Sequence, residues 1–189
     1  MNRRRFLRNT PLLLAAPSVL GALGCNRSSA TLRSEGIRSD DDLRVHPDIG
    51  SFDILDKPDA AWEGLVSNDA YYILFEEGTE RPFSSPLNDN KARGTYVCAS
   101  CYLPLFPSTT KYDSRTGWPS FWAPLDGRLG EKVDTKFGMI RTEYHCIRCG
   151  GHQGHVFNDG PQPTGLRYCN NGLALRFVPE DEPLPALRG

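Results

Sequence analysis

Two pairs of closely spaced cysteines constrain this 189-residue chain more than any other feature of its sequence. Cys98 and Cys101 form the first pair, and Cys146 and Cys149 form the second. A spacing of two residues lets both thiolates of a pair point at one ion from a tight turn, and two such turns complete a closed tetrahedral site that favours zinc. The sequence therefore predicts one structural zinc ion per chain. Two disulfides, or one redox-active pair of the thioredoxin type, are the alternatives.

The remaining pattern predicts a mainly β domain with short helices at its N-terminal edge. The helical signal is confined to about residues 53–77, where Pro58 suits a first helical turn and Ser67 suits the cap of a second helix that Gly78 ends. The first helix would present an apolar face made of Ala61, Trp62, Leu65 and Val66. Beyond residue 94, short apolar runs alternate with turn residues. Antiparallel strands are expected at 94–98, 103–106, 118–123, 132–145, 154–158, 166–170 and 173–178.

The first 50 residues predict export rather than a folded element. Residues 1–24 contain four arginines, no acidic residue and a short apolar run, and the string RRRFL at 3–7 fits the twin-arginine pattern. Cys25 follows a small residue, as in lipoprotein signals, so we expect a lipid anchor there. The polar residues 25–50 predict a flexible tether, and residues 51–189 a single folded domain. The protein is then expected to be exported, either periplasmic or anchored in the envelope membrane.

Cys169 lies outside both the pairs and the N-terminal signal. On a strand, Arg167 and Asn171 would share its face, because residues two apart point the same way. A lone cysteine in a strand is commonly inert and buried. However, a guanidinium beside a thiol favours the thiolate, so a charged and an amide neighbour on one face indicate a reactive cysteine.

Two histidines and two aromatic residues complete the candidate site. His152 and His155 follow the second cysteine pair. They are possible metal ligands, but four cysteines already close a zinc site, so we interpret them as acid–base residues. Trp118 precedes a proline, which favours an extended backbone there. Trp118 and Phe121 suit either the core or the wall of a binding site.

Together these motifs resemble, in the same order, those of methionine-R-sulfoxide reductases of the B type, over about residues 60–178. The matching strings are GTERPF at 78–83, YVCASC at 96–101, KYDSRTGWPSF at 111–121, RTE at 141–143, CIRCGGHQGHVF at 146–157 and DGPQPTGLRYCNNGLALRF at 159–177. The resemblance implies a β-tent-like pair of antiparallel sheets and a zinc site made by the four paired cysteines. It also implies a monomeric enzyme that reduces methionine-R-sulfoxide, mainly in oxidised proteins, with a thioredoxin-like or other thiol reductant.

The same resemblance implies roles for individual residues. Cys169 is the nucleophile, which becomes a sulfenic acid, and Trp118 receives the methyl group of the substrate. The other implied site residues are His152, His155 and Asn171 around the sulfoxide oxygen, Arg167 beside the thiolate, Asp159 near the histidines and Phe121 in the substrate-binding wall.

Three positions depart from the family strings. Thr116 replaces the resolving cysteine that many relatives carry before the GWP string, so we expect an external thiol to reduce the sulfenic acid directly. A Cys25 that reaches Cys169 on its tether and forms a disulfide is the alternative. Gln153 replaces a common leucine and Asn170 a common apolar residue, which predicts a more polar pocket.

Two other classes of function are disfavoured. A zinc-containing β module that only binds ligands would not need Cys169 with its charged, amide and imidazole neighbours. Without residues 1–24 the chain has 18 basic against 23 acidic side chains, a net charge of −5. This charge argues against binding to nucleic acid through the zinc-binding turns.

Overall fold

The computed structural model describes residues 51–189 and contains one α-helix and nine β-strands there. The predicted export signal, the tether and Cys25 lie outside this range. Within residues 51–189, none of the helical segments has the length and apolar character needed to cross a bilayer. The strands are β1 (Gly94–Cys98), β2 (Pro104–Pro107), β3 (Lys111–Tyr112), β4 (Ser120–Phe121), β5 (Leu129–Asp134), β6 (Arg141–Cys146), β7 (His152–Phe157), β8 (Arg167–Asn170) and β9 (Leu175–Pro179).

The strands form two antiparallel sheets, which confirms the predicted mainly β fold. The smaller sheet has the order β2-β1-β9, and the larger has the order β3-β4-β8-β7-β6-β5. In the larger sheet Cys169 on β8 pairs with Ser120 on β4 and with His155 on β7. This order brings three separate segments of the chain to one place, although they are up to 49 residues apart in sequence.

Of the two predicted helices, the structure contains one complete α-helix, α1 (Asn68–Glu76). The Ser67 side chain accepts a hydrogen bond from the Ala70 amide at 3.2 Å, as predicted for an N-cap. The first predicted helix is only a 3-10 turn, Asp59–Trp62, because Glu63 is extended and Gly64 has a φ of 73°. Its predicted apolar face is wrong, since Ala61 and Leu65 are exposed, whereas Trp62 is buried.

The predicted strand 132–145 is two strands joined by a turn. β5 and β6 pair from Leu129 with Cys146 to Asp134 with Arg141, and a 3-10 turn, Lys136–Gly138, connects them. Gly138 has a φ of 71°, a conformation that glycine adopts without strain. A turn of this kind lacks a proline or an Asn-Gly signal, so the sequence pattern did not reveal it. β3 was also not predicted, because two residues are too few to show alternation.

The core lies where the two sheets meet and is mostly aromatic. Phe106 on β2 stacks on Phe121 of β4 with ring centres 4.2 Å apart, and Tyr96 on β1 meets the same ring edge-on at 5.0 Å. Tyr144 and Tyr168 of the larger sheet pack against each other at 5.3 Å. Such pairs contribute roughly 0.5–1.5 kcal/mol each beyond the apolar area they bury. They fix β4, β6 and β8, which support the candidate site.

Candidate active site and metal centre

The four paired cysteines converge in the core, as predicted. Their Sγ atoms all lie within 4.8 Å of one another, with 3.7 Å between Cys98 and Cys149 and 3.6 Å between Cys101 and Cys146. A disulfide needs about 2.05 Å, and all four cysteines are free thiols. Four thiolates about 2.3 Å from a zinc ion would lie roughly 3.8 Å apart in a tetrahedron. The cluster therefore fits one tetrahedral metal ion and not the alternative pair of disulfides.

The two cysteine turns have the same backbone geometry. The fourth residue after each leading cysteine is left-handed, with a φ of 63° at Tyr102 and 75° at Gly150. The amides of these two residues donate to the carbonyl oxygens of Cys98 and Cys146 at 3.0 and 2.9 Å. This turn brings both sulfurs of a pair to one side. The hydroxyl of Ser100 lies 3.2 Å from Cys98 Sγ and can donate a hydrogen bond to it.

The C-terminal segment holds the first cysteine turn in place. The Arg188 guanidinium donates to the carbonyl oxygens of Ser100 at 2.5 Å and Ala99 at 2.8 Å, and the Arg188 amide donates to the Cys101 carbonyl at 3.0 Å. Arg148, within the second turn, donates to the Arg188 carbonyl at 2.6 Å. Both turns are thus connected through one residue near the C-terminal end of the described range.

A second site surrounds Cys169, in a cavity of about 130 Å³. This volume suits one side chain rather than a cofactor, since pockets for drug-sized ligands are about 300–1,000 Å³. The cavity is lined by Thr79, Trp118, Arg141, Gly154, His155, Phe157, Cys169, Asn170 and Asn171. The structure therefore brings four predicted site residues together, namely Trp118, His155, Cys169 and Asn171.

The electrostatic surroundings of Cys169 keep its thiol protonated at rest. Burial raises the pKa of Cys169 above its ordinary value, while Arg167 and the hydroxyls of Thr116 and Ser120 act in the opposite direction. The effect of Arg167 has the predicted direction, but burial outweighs it, so the thiol pKa is raised overall. The Arg167 guanidinium also makes two hydrogen bonds to Asp159, at 2.8 and 2.9 Å.

His155 forms a carboxylate–imidazole pair with Asp134 of β5, whose Oδ2 lies 2.8 Å from His155 Nε2. The pKa of Asp134 is held well below its usual range by hydrogen bonds from the Lys136 amide, His155 and Arg141. Burial lowers the pKa of His155, so the neutral ring donates its Nε2 proton to an ionised Asp134. The Nδ1 lone pair is then the proton acceptor of this ring.

His152 lies beside His155 but does not line the cavity. Its side chain is 3% exposed, its Nδ1 is 2.9 Å from Glu143 Oε1, and the two imidazole centres are 5.5 Å apart. Burial raises the pKa of Glu143, but the neighbouring His152 and Lys132 outweigh burial and lower it overall. His152 therefore supports the site from the side of β6, rather than facing the cavity as a group that touches substrate.

Glu80 holds Trp118 and Asn171 in place. The Trp118 indole donates to the Glu80 carbonyl at 3.1 Å, and the Glu80 amide donates to Asn171 Oδ1 at 3.1 Å. The buried Glu80 carboxylate accepts from the amides of Gly172 and Leu173 at 2.6 and 3.0 Å. Asn171 also donates from Nδ2 to the Gln153 carbonyl at 3.1 Å. Contacts within the protein thus use most of the hydrogen-bonding capacity of the Asn171 side-chain amide.

Two predicted site residues lie elsewhere. Ser120 pairs with Cys169 and faces it, so the next residue, Phe121, points to the opposite face of the sheet and is fully buried in the core. Phe121 therefore does not line the cavity. Asp159 pairs with Arg167 and not with the histidines, and its side chain is 62% exposed. The prediction that Asp159 lies near the histidines is wrong, because the carboxylates that contact them are Asp134 and Glu143.

The carboxylates that do contact the histidines, Asp134 and Glu143, were missed by the sequence analysis, as were Glu80, Thr79 and Arg141. Glu143 pairs directly with His155 across β6 and β7. A correct pairing of the strands at 141–146 and 152–157 would have revealed this proximity. Glu80 lies 91 residues from Asn171, and no periodic pattern connects two such distant positions.

Comparison with known proteins agrees with this arrangement. The SelR domain family matches residues 66–179. The chain is 52% identical over 126 residues to "Peptide methionine sulfoxide reductase MsrB" of Thiobacillus denitrificans, which covers 66% of this chain and 96% of the relative. It is 51% identical over 128 residues to the protein of that name from Pseudomonas putida, which covers 67% of this chain and 96% of the relative. The chain therefore belongs to the family of the peptide methionine sulfoxide reductases MsrB, oxidoreductases that act on sulfur.

Proposed function

We propose that this enzyme reduces the R epimer of methionine sulfoxide in peptides and proteins, with Cys169 as the nucleophile. One cavity brings Cys169, His155 and Trp118 together, and this grouping supports the proposal most directly. Its volume of about 130 Å³ suits a single side chain, as expected for a substrate presented on an oxidised protein. The names of the relatives specify peptide methionine sulfoxide, which supports the same substrate class.

The reaction begins with a protonated Cys169 thiol and a neutral His155. Binding of the sulfoxide places its oxygen toward the polar side of the cavity, and His155 Nδ1 carries the thiol proton to this oxygen. Protonation makes the sulfoxide sulfur electrophilic, so the Cys169 thiolate attacks it. Asp134 stabilises the imidazolium that forms transiently, because its carboxylate accepts a hydrogen bond from the Nε2–H group at 2.8 Å.

The net step transfers one oxygen atom from the substrate to Cys169. As the hydroxyl moves to the cysteine sulfur, the S–S bond formed by the attack and the substrate S–O bond both break, an S–O bond forms on Cys169, and the thiol proton ends on the new sulfenic acid. The cysteine sulfur loses two electrons and the methionine sulfur gains two, so atoms and charge balance. Methionine then leaves the cavity.

Preference for one epimer follows from the two sides of the cavity. Trp118 provides an apolar face, fixed by its hydrogen bond to the Glu80 carbonyl, and suits the methyl group. His155 and Asn171 provide the polar face and suit the oxygen. Exchange of methyl and oxygen in the S epimer would place each against the wrong surface, and an unpaired polar group in such a site is strongly disfavoured.

An external thiol completes the cycle by reducing the sulfenic acid directly. Thr116 occupies the position of the usual resolving cysteine, near enough to Cys169 for its hydroxyl to lower the thiol pKa, and the other cysteines of residues 51–189 form the metal cluster. One thiol forms a mixed disulfide with Cys169 and releases water, and a second thiol then frees Cys169. Alkylation mapping after one turnover tests this route. A Cys25–Cys169 disulfide in the mature protein would contradict it.

The test of the function is reduction of the separated R and S epimers of a blocked methionine sulfoxide, with dithiothreitol as reductant. The wild type should reduce only the R epimer, and Cys169→Ser should reduce neither. Cys169→Ser is close in shape to the wild type and leaves the metal cluster intact, so unfolding would not explain its inactivity. Equal activity of the two proteins, or a preference for the S epimer, would refute the proposal.

We further propose that the metal is zinc and that the enzyme repairs oxidised proteins in the cell envelope. Four thiolates at tetrahedral spacing favour zinc, which would cross-link β1 and β6 and leave no open position for chemistry. Export rests on the arginine-rich signal and Cys25. Metal analysis should give one zinc per chain. Fractionation with mass spectrometry of Cys25 tests the location, and a cytoplasmic protein with an intact residue 1–24 segment would contradict it.

A further inference from the structure

Two amide side chains, Gln153 on β7 and Asn170 on β8, connect the cysteine cluster with the strand that carries Cys169. Both side chains are fully buried, at 0% exposure. Asn170 Nδ2 donates to Gln153 Oε1 at 3.3 Å, across neighbouring strands β8 and β7. An unpaired amide in such a position costs roughly 1–3 kcal/mol. The two departures from the family strings therefore compensate for each other by forming one contact.

Gln153 connects this pair to the metal cluster. Its Nε2 donates to Cys98 Sγ at 3.5 Å and to the Gly151 carbonyl at 3.5 Å. A donor aimed at a metal-binding thiolate orients it and reduces its charge density. Outer groups of this kind commonly change metal affinity about 10- to 100-fold when they are removed.

Asn170 connects the pair to the candidate nucleophile. It directly follows Cys169 on β8, its Oδ1 accepts from the Tyr144 hydroxyl at 2.9 Å, and its Nδ2 also donates to the Asn171 carbonyl at 2.8 Å. The Asn170 amide donates to the Pro119 carbonyl at 2.9 Å. The side chain thus fixes the backbone next to Cys169. Two side chains complete a hydrogen-bonded path from Cys98 to that backbone.

We propose that Gln153 and Asn170 are positioning residues that couple the cysteine cluster to Cys169, so that a change at either end alters the other. The functional part of this inference rests on the proposed role of Cys169 as the nucleophile. Each acts through the β7–β8 pair that holds Cys169 opposite His155. Of the two positions expected to make the pocket more polar, Asn170 lines the cavity, whereas the Gln153 side chain points toward Cys98.

The coupling is tested with zinc-loaded Gln153→Leu, Asn170→Leu and the double variant. The first measurement is the rate of zinc release to a chromophoric chelator. Gln153→Leu should accelerate release about tenfold, as expected for loss of a donor to a metal-bound thiolate. Asn170→Leu touches no cysteine of the cluster and should still accelerate it at least threefold, because Gln153 loses its partner. The double variant should match Gln153→Leu within twofold instead of showing the product of both effects.

The second measurement is alkylation of Cys169 by iodoacetamide, followed by mass spectrometry of the modified peptide. Gln153→Leu should accelerate this reaction at least threefold, although Gln153 does not contact Cys169, because the loosened β8 exposes the thiol. Val156→Ala is the matched control. It removes partly buried atoms from the same strand, but Val156 pairs with Tyr168 instead of Asn170, so both rates should stay at the wild-type level.

Wild-type zinc release in Asn170→Leu, or independent effects in the double variant, would overturn the coupling. If Asn170→Leu does not fold, Gln153→Met decides the question, since it keeps the side-chain length and removes both polar ends. An unchanged alkylation rate in Gln153→Met would refute the inference by itself. Neither readout requires sulfoxide reduction. Loss of the proposed function, seen as an active Cys169→Ser, is therefore distinguishable from loss of the coupling.

Discussion

Asp134→Asn should inactivate the enzyme by reversing the tautomer of His155. Asp134 Oδ1 accepts from the Lys136 amide at 2.8 Å, and Oδ2 accepts from His155 at 2.8 Å and Arg141 at 2.5 Å. An asparagine has one oxygen for these three donors. If that oxygen stays with Lys136, the new NH₂ group faces His155 and Arg141, and His155 must present a lone pair at Nε2. Nδ1 then carries the proton and can no longer accept one from Cys169.

The magnitude follows from the loss of one acid–base residue, which typically reduces rate about 10²- to 10⁴-fold. This corresponds to about 3–5 kcal/mol in the activation barrier. The unfolding free energy should fall by a further, separate amount of about 1–3 kcal/mol, since one buried donor is left unpaired. The alternative orientation of the amide, with NH₂ toward Lys136, also leaves a donor facing a donor, so neither arrangement restores the wild type.

The assay is kcat/KM for the R epimer of a blocked methionine sulfoxide, with urea unfolding of the same samples. Asp159→Asn is the matched control, because Asp159 also pairs with an arginine but is 62% exposed and does not contact the imidazoles. Its kcat/KM should stay within about tenfold of the wild type. An Asp134→Asn enzyme within threefold of the wild type, or an equal loss in both variants, would refute the proposed role of Asp134.

The stability difference between the wild type and Asp134→Asn should also depend on pH. The folded-state pKa of Asp134 is held well below the ordinary value of 3.8 by hydrogen bonds from the Lys136 amide, His155 and Arg141. The ionised carboxylate therefore stabilises the fold fully above pH 3.8, and this contribution is lost as the pH falls through the lower folded-state pKa. Unfolding curves at pH 6 and at pH 3 test this. A difference that grows toward acid would contradict the assigned direction.

Three further perturbations have defined outcomes. Removal of zinc, or Cys146→Ser, should unfold the domain by far-UV circular dichroism, since structural zinc contributes about 10–16 kcal/mol and whole domains are stable by only about 5–15 kcal/mol; a folded apo-protein would contradict this. Thr116→Cys should form a disulfide with Cys169 after one turnover, because the Thr116 hydroxyl is near enough to lower the pKa of that thiol; mass spectrometry should then show two fewer free thiols, and an unchanged thiol count would refute the proximity. Ser67→Ala removes the acceptor for the Ala70 amide and should lower the free energy of unfolding by about 1 kcal/mol, measured by thermal unfolding. An unchanged Tm would show that this cap does not stabilise the fold.

The sequence was most informative where chemistry requires a fixed local spacing. The two cysteine pairs predicted their own convergence, because a tight turn can place two cysteines separated by two residues on one ion. Ser67 predicted the start of α1 for a similar reason, since an N-cap acts within three residues. Resemblance to the family motifs then identified Cys169, Trp118 and His155, which the structure brings to one cavity.

Positions that depend on strand pairing could not be predicted in the same way. The unrecognised turn at 135–140 concealed the separate strand β5, which places Asp134 against the His155 ring. The pairing of β6 with β7, which brings Glu143 opposite His155, was also not predicted. Phe121 and Trp118 are close in sequence, yet alternation along β4 sends Phe121 to the core. The direction of the Cys169 pKa shift likewise depends on burial, which is not visible in a one-dimensional pattern.

The contacts of Arg188 have a practical consequence for handling the protein. Because this residue bonds to the turn that contains Cys98 and Cys101 and is held by Arg148, changes at the C-terminal end reach the metal centre. Trimming of the last two residues would remove Arg188 and its hydrogen bonds to the first cysteine turn. Material that keeps Arg188 should therefore have a higher zinc content than trimmed material.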